Sequence, residues 1–296
     1  MLRWRLLLGT TLVALLAALC WIDHTVGPRG AWVWWPLAAA AAWLASGEML
    51  WLLADSDSKP VPWVVYAGNQ LIVAANWAGQ SNAAVPSGLD GLAWPAAALA
   101  IGVVLAFLGE MRRYRGPGGV TRRLASAVFS LVYVGLLLSF VVQLRFLGTS
   151  ARGLLALVSL VIVVKMCDTG AYTVGRLIGR HKLAPKLSPG KTIEGVAGGL
   201  AFGCLGAWLA FGLLAPAMGL SASRPGQVWG WLLFGLIVGA VGIVGDLAES
   251  LLKRDLGRKD SSAWMPGFGG VLDVLDSILL GAPAAYLCWT SGLVGL

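Results

Sequence analysis

Residues 228–250 read VWGWLLFGLIVGAVGIVGDLAES, residues 251–270 read LLKRDLGRKDSSAWMPGFGG, and residues 271–290 read VLDVLDSILLGAPAAYLCWT. The outer two are apolar runs of the roughly 20 residues that a bilayer-spanning helix needs. The middle stretch packs Lys, Arg, Asp and Gly between them. Charge at a membrane boundary is unfavourable unless it is paired or used. This alternation of long apolar run and short charged loop sets the fold class.

The rest of the chain repeats it. Of 296 residues, 58% are hydrophobic and only 12% charged, and the mean hydropathy is +0.78. A soluble domain carries about 25% charged residues. The composition therefore predicts an all-α, polytopic integral membrane protein. Counting by the length rule gives about nine runs, near 5–22, 31–54, 62–79, 92–109, 124–147, 152–174, 195–218, 228–250 and 271–290. The runs are unbroken, whereas barrel strands would alternate in polarity. The first follows Arg3 and Arg5 and lacks a clear small-x-small cleavage site, so it reads as an uncleaved anchor rather than a signal peptide.

Net charge is +8, and its placement is informative. Arg112, Arg113, Arg115, Arg122 and Arg123 crowd the fourth loop. Arg176, Arg180, Lys182, Lys186 and Lys191 crowd the sixth, and Lys253, Arg254, Arg258 and Lys259 the eighth. All are even-numbered loops, so the positive-inside rule puts them and the N-terminus in the cytoplasm. For the fourth loop, setting topology is reason enough for the charge. The other two hold residues too particular for that alone.

Cys20, Cys167, Cys204 and Cys288 form no Cys-x-x-Cys pair, and His24 and His181 are the only histidines. Neither disulfides nor a zinc site is expected. Residues 1–150 read as Trp- and Ala-rich transmembrane helices without an evident task, and 151–296 as the catalytic region. Glu48 is a lone acid in the second run; it faces another helix or lies near an interface.

The first polar cluster runs from Lys165 to Gly195. Lys165 and Asp168 are three apart and share a helix face, which makes a structural ion pair the plain alternative to a functional acid. Gly175 and Gly179 suit close helix packing. Ser188-Pro-Gly-Lys-Thr192 is not a P-loop: Pro185 stands where the first Gly belongs, and no strand precedes it. What is left is a turn with Ser188, Lys191 and Thr192 just before a helix, suited to phosphate contact or to ordinary capping.

In the second cluster, Asp246 and Glu249 end one run, and Asp273 and Asp276 open the next, three residues apart on one side. Asp246, Asp273 and Asp276 would suit Mg²⁺, which takes one or two carboxylates, keeps waters and binds substrate phosphates. An ion-pair network with Lys253, Arg254, Arg258 and Lys259 is the competing explanation.

At these residues the chain resembles the bacterial phosphatidate cytidylyltransferase family, the CDP-diglyceride synthases. The family's C-terminal motif is matched by Ser250, Lys253, Arg254, Lys259, Asp260, Pro266, Gly267, Gly269, Gly270, Leu272, Asp273, Asp276 and Ser277. Upstream, Asp168, Ala171, Tyr172, Gly175, Gly179, Ser188, Pro189, Lys191, Thr192, Glu194 and Gly195 also look like the family. Two positions depart from it: Phe268 stands for a family His, and Val274 for a family Arg.

The resemblance implies transfer of CMP from CTP to phosphatidate, giving CDP-diacylglycerol and pyrophosphate in phospholipid synthesis. It implies Mg²⁺ and a second cation at Asp246, Asp273 and Asp276, with Lys253 beside them in catalysis. It assigns substrate binding to Ser188, Lys191, Thr192, Arg254 and Lys259, supported by Asp168 and Glu194. It further implies a multi-pass inner-membrane protein with its site on the cytoplasmic side, membrane lipid as partner, no nucleic acid, and a homodimer. The alternatives are an inactive or substrate-shifted member and a membrane transporter. The Asp-Gly and Ala-Arg run of CDP-alcohol phosphotransferases is missing from the sequence.

Overall fold

Backbone in hydrocarbon must satisfy its own hydrogen bonds, and helices do so within a single segment. The computed structural model describes residues 14–16, 18–23, 25–26, 32–54, 56–80, 91–221, 227–258, 262 and 269–296, and nearly all of their regular structure is helical. The elements are α1 (Trp34–Leu52), α2 (Pro62–Ala74), α3 (Ala93–Arg113), α4 (Val120–Arg145), α5 (Ser150–Ile178), β1 (Lys182–Ala184), β2 (Ser188–Thr192), α6 (Ile193–Ala217), α7 (Val228–Asp255) and α8 (Val271–Thr290). The six helices α3 to α8 are long and apolar enough to cross a membrane. The protein is therefore an all-α, multi-pass membrane protein. Of the remaining apolar runs, α1 and α2 account for two, and Ala14–Asp23 is helical at its described positions. Large apolar side chains on the outside, among them Trp43, Ile101, Phe107, Leu213, Trp229 and Leu287, suit a lipid surround.

The chain divides into two units. The first comprises residues 1–143 and 255–274. Its core has two clusters, one of Val64, Ala106 and Ala127, the other of Ile72, Ala98 and Leu131. Leu131 begins a π-helical turn, Leu131–Leu136, inside α4. Its side chain fills the space left by two glycines: a Cβ on Gly68 would lie 2.5 Å from Leu131, and one on Gly102 2.9 Å. Polar side chains tie these helices where water is absent. Asn69 donates to Ser46 Oγ at 2.8 Å, Asn76 to Ser139 Oγ at 2.9 Å, and Gln143 to Asn76 Oδ1 at 2.9 Å. Glu110 is buried and accepts from Arg113 and, at 2.9 Å, from Arg123. Arg123 of the fourth loop thus locks α4 to α3, while Arg113 holds Glu110 from within α3.

The second unit comprises residues 144–254 and 275–296. Thr149 caps α5, its hydroxyl accepting from Arg152 N. α5 and α6 pack along a seam of small residues. A Cβ on Gly198 would meet Val174 at 2.4 Å, and one on Gly170 would meet Phe202 at 2.5 Å. Trp289, 1% exposed, packs edge-on to Phe211 with ring centroids 5.8 Å apart and donates from its indole to Ser159 Oγ. Nearer the charged end, a Cβ on Gly245 would lie 2.7 Å from Asp276 O and 2.9 Å from Ser277 Cα, so α7 and α8 touch backbone to backbone there.

Candidate active site

Between α5 and α6 the chain makes a two-stranded antiparallel hairpin, with Lys182 opposite Thr192 and Ala184 opposite Ser188. The turn-like Ser-Pro-Gly-Lys-Thr stretch is thus the second strand of that hairpin. Strand runs of three and five residues are too short to show a period-2 pattern, so the sequence gives a loop here. Thr192 ends the strand and caps α6: its hydroxyl accepts from Gly195 N at 3.1 Å. It is 5% exposed, and Gly175, Gly179 and Gly195 crowd its Oγ1. Of the turn's two hydroxyls, it is that of Thr192 that does the capping, and it points into the protein. Glu194 is likewise engaged locally, accepting from the backbone N–H groups of Arg180 and His181 and from His181 Nδ1 at 2.6 Å. It fastens the entrance of the hairpin to the start of α6.

Lys191 has a different destination. Its Nζ lies 2.8 Å from Asp246 Oδ2 and donates to Ile243 O at 3.5 Å. The Lys191 and Asp246 side chains are 20% and 41% exposed. The two polar clusters, separate in sequence, therefore meet through Lys191 and Asp246. Asp276, on the first turns of α8, is 6% exposed, and one of its oxygens accepts from Ser277 N. It lies within electrostatic reach of Asp246, Asp168 and Lys165. Lys165 Nζ donates to Asp168 Oδ2 at 3.1 Å, so the ion pair read from their spacing is formed. That pair also belongs to the neighbourhood of Asp276. Three carboxylates and two ammonium groups are thus gathered in one unit. The sequence had offered Lys165 only as the neutraliser of Asp168.

Lys253 Nζ donates to the buried Glu249 Oε2 at 3.0 Å. Arg254 Nε donates to Leu187 O at 3.4 Å, joining the end of α7 to the turn of the hairpin. Ser188 is half-buried on β2. Asp273 belongs to the first unit, where its Oδ2 accepts from Gly270 N at 2.7 Å. Gly269 has φ +80°, and a Cβ there would fall 2.2 Å from that carboxylate, so the close turn requires glycine. Val274 is the next residue of α8, while Lys259, Asp260 and Phe268 lie outside the described residues.

Among the described residues, no group of three or more His, Cys, Asp or Glu stands ready to hold a metal ion. The second unit offers instead two carboxylates, the buried Asp276 and the part-exposed Asp246, within electrostatic reach of each other, where like charges repel. A hard divalent cation relieves that repulsion, and Mg²⁺ needs no more than one or two protein carboxylates when phosphates and water complete its shell. The donor set fits that ion.

Over residues 3–291 the chain matches the cytidylyltransferase family. It belongs to that family. A phosphatidate cytidylyltransferase of Mycobacterium leprae is 36% identical over 169 residues, 57% of this chain and 49% of that protein. One from Haemophilus influenzae is 41% identical over 132 residues, 45% of this chain and 44% of the relative. One from Staphylococcus aureus is 39% identical over 160 residues, 54% of this chain and 56% of the relative. The aligned portion thus spans about half the length of these curated cytidylyltransferases.

Proposed function

We propose that this cytidylyltransferase-family chain transfers CMP from CTP to phosphatidate, releasing pyrophosphate and leaving CDP-diacylglycerol in the membrane. The observation that carries the reading is the Lys191–Asp246 pair within electrostatic reach of Asp276, which joins the two motif clusters into one charged cluster. Relatives named for this reaction support the choice of substrates.

In the reaction, a phosphatidate oxygen attacks the α-phosphorus of CTP. An oxygen–phosphorus bond forms, the bond to the β-phosphate oxygen breaks, and pyrophosphate leaves. A monoester phosphate has a second pKa of about 6, so the nucleophile is already ionised near neutral pH. No side chain need remove a proton, which leaves the His-to-Phe268 departure compatible with turnover. The demand is alignment and charge neutralisation. Lys191 and Lys165 supply fixed positive charge. Asp246 and Asp276 would hold Mg²⁺, which when bound would neutralise phosphate oxygens and the leaving group; Asp273, in the first unit, is kept as a proposed catalytic acid on the strength of the family motif alone. Lys253, Arg254 and Ser188 complete the set proposed for phosphate contact in the second unit, and Asp168 holds Lys165 in place; Lys259 is a proposed substrate-binding residue by the family motif alone. We place this site at the cytoplasmic face of a bacterial inner membrane, where CTP is available and the lipid headgroup lies level with the helix ends.

The test is purified protein in lipid nanodiscs with CTP labelled at the α-phosphate, phosphatidate and Mg²⁺. Label should enter the lipid extract. Asp246→Asn should cut that incorporation by about 100-fold or more without loss of folded protein. Near-normal incorporation by that variant removes Asp246 from the site. Movement of a tracer across the membrane without lipid labelling would favour a transporter.

A further inference from the structure

Glu48 is an acid inside α1, 7% exposed. Its Oε1 accepts from Val271 N at 2.8 Å and from Ser262 Oγ at 3.0 Å, and its Oε2 accepts from Leu272 N at 2.7 Å. Val271 and Leu272 open α8. The first N–H groups of a helix have no acceptor within the helix, and they carry the positive end of its dipole. Glu48 meets both conditions, from 223 and 224 positions away in sequence. Capping of this kind usually comes from a Ser, Thr, Asp or Asn just before the helix. Here that local place is taken by the tight Gly269-Gly270 turn, closed by Asp273 itself. Ser262 also donates to Gly269 O at 3.4 Å, so Glu48, Ser262, the turn and Asp273 form one connected set.

A buried carboxylate in an apolar helix is costly, and such groups mark tasks more often than accidents. We infer that Glu48 is a positioning residue: it fixes the first turn of α8 and thereby sets the direction of Asp273, the residue after Leu272. The inference rests on the function proposed above for the acids of α8. It also gives the N-terminal helices a part in the reaction although they supply none of the phosphate-binding groups.

The experiment compares the full-length protein with Glu48→Ala and Glu48→Gln in nanodiscs, using lipid labelling and amide hydrogen exchange. Glutamine keeps one acceptor oxygen and the shape of the side chain but cannot satisfy both N–H groups. Exchange across residues 269–275 should rise by about tenfold in the alanine variant and less in the glutamine variant, with the other helices unchanged. Turnover should fall by about tenfold in the alanine variant at an unchanged KM for CTP, and the glutamine variant should recover part of it. Wild-type turnover in Glu48→Ala overturns the inference. So does a rise in exchange spread evenly over all helices, which marks a general structural role. If the wild-type protein labels no lipid, the function reading fails, and the local exchange result alone decides whether Glu48 holds this turn.

Discussion

Lys191 shows how a single side chain distinguishes stability from chemistry. A partly exposed Lys–carboxylate pair contributes about 0–1 kcal/mol to folding. With side chains 20% and 41% exposed, Lys191 and Asp246 belong to that class. The pair is therefore a poor device for holding a membrane protein together. The proposed phosphate chemistry gives the same lysine far more to do, because the anionic oxygens of the phosphate groups need compensating charge. Lys191→Met keeps most of the stem and removes the charge. Its melting temperature should stay within about 2 °C of wild type, while kcat/KM for CTP falls by roughly 100-fold. A large loss of thermal stability with preserved turnover would instead make the pair structural. From sequence, phosphate contact stands against capping for the turn that holds this lysine, and the pair with Asp246 is not foreseen, because hydropathy and spacing do not reveal a partner 55 positions away. Glu48 was harder still to read: nothing local to α1 announces that its acceptors serve the start of α8.

At the scale of elements, apolar length was the dependable signal. The runs near 152–174 and 228–250 appear as α5 and α7, each extended past the apolar stretch by charged residues. Their ends depend on capping and on contacts with the hairpin, which apolar counting does not register. The hairpin itself escaped notice because its strands are three and five residues long. The packing value of Gly175 and Gly179 was legible, although their neighbour, the cap hydroxyl of Thr192, was not. Gly245 carries the sharpest consequence of this small-residue packing. A methyl group there would sit 2.7 Å from Asp276 O and 2.9 Å from Ser277 Cα, both backbone atoms that cannot rotate away. Gly245→Ala must push α7 from α8 at the level of Asp246 and Asp276. Overpacking of this kind costs about 1–3 kcal/mol, and turnover should drop by roughly tenfold or more. Gly257→Ala is the control, since its added Cβ meets nothing within 4 Å, although its φ of +67° adds local strain. Equal turnover in Gly245→Ala and wild type would show that the α7–α8 contact tolerates displacement.

For the whole molecule, the alternation of spans makes a prediction that does not depend on how the N-terminal runs are counted. α4 and α5 lie between the loop at 114–119 and the hairpin at 182–192, and α6 and α7 lie between the hairpin and the segment after Asp255. Two crossings return the chain to the side it left. All three segments therefore emerge on one face if each of these helices spans. All three are basic, and the positive-inside rule assigns that face to the cytoplasm. Single cysteines placed at Arg115, Lys186 and Gly257 in a background lacking Cys20, Cys167, Cys204 and Cys288 would test this. A membrane-impermeant maleimide should label all three in inside-out vesicles and none in intact spheroplasts, provided the background protein still labels lipid. Labelling of Lys186→Cys from outside would put the hairpin away from CTP and defeat the proposed reaction. Labelling of Arg115→Cys alone from outside would mean that α4 or α5 does not cross. The same measurement thus separates an error in the fold from an error in the function.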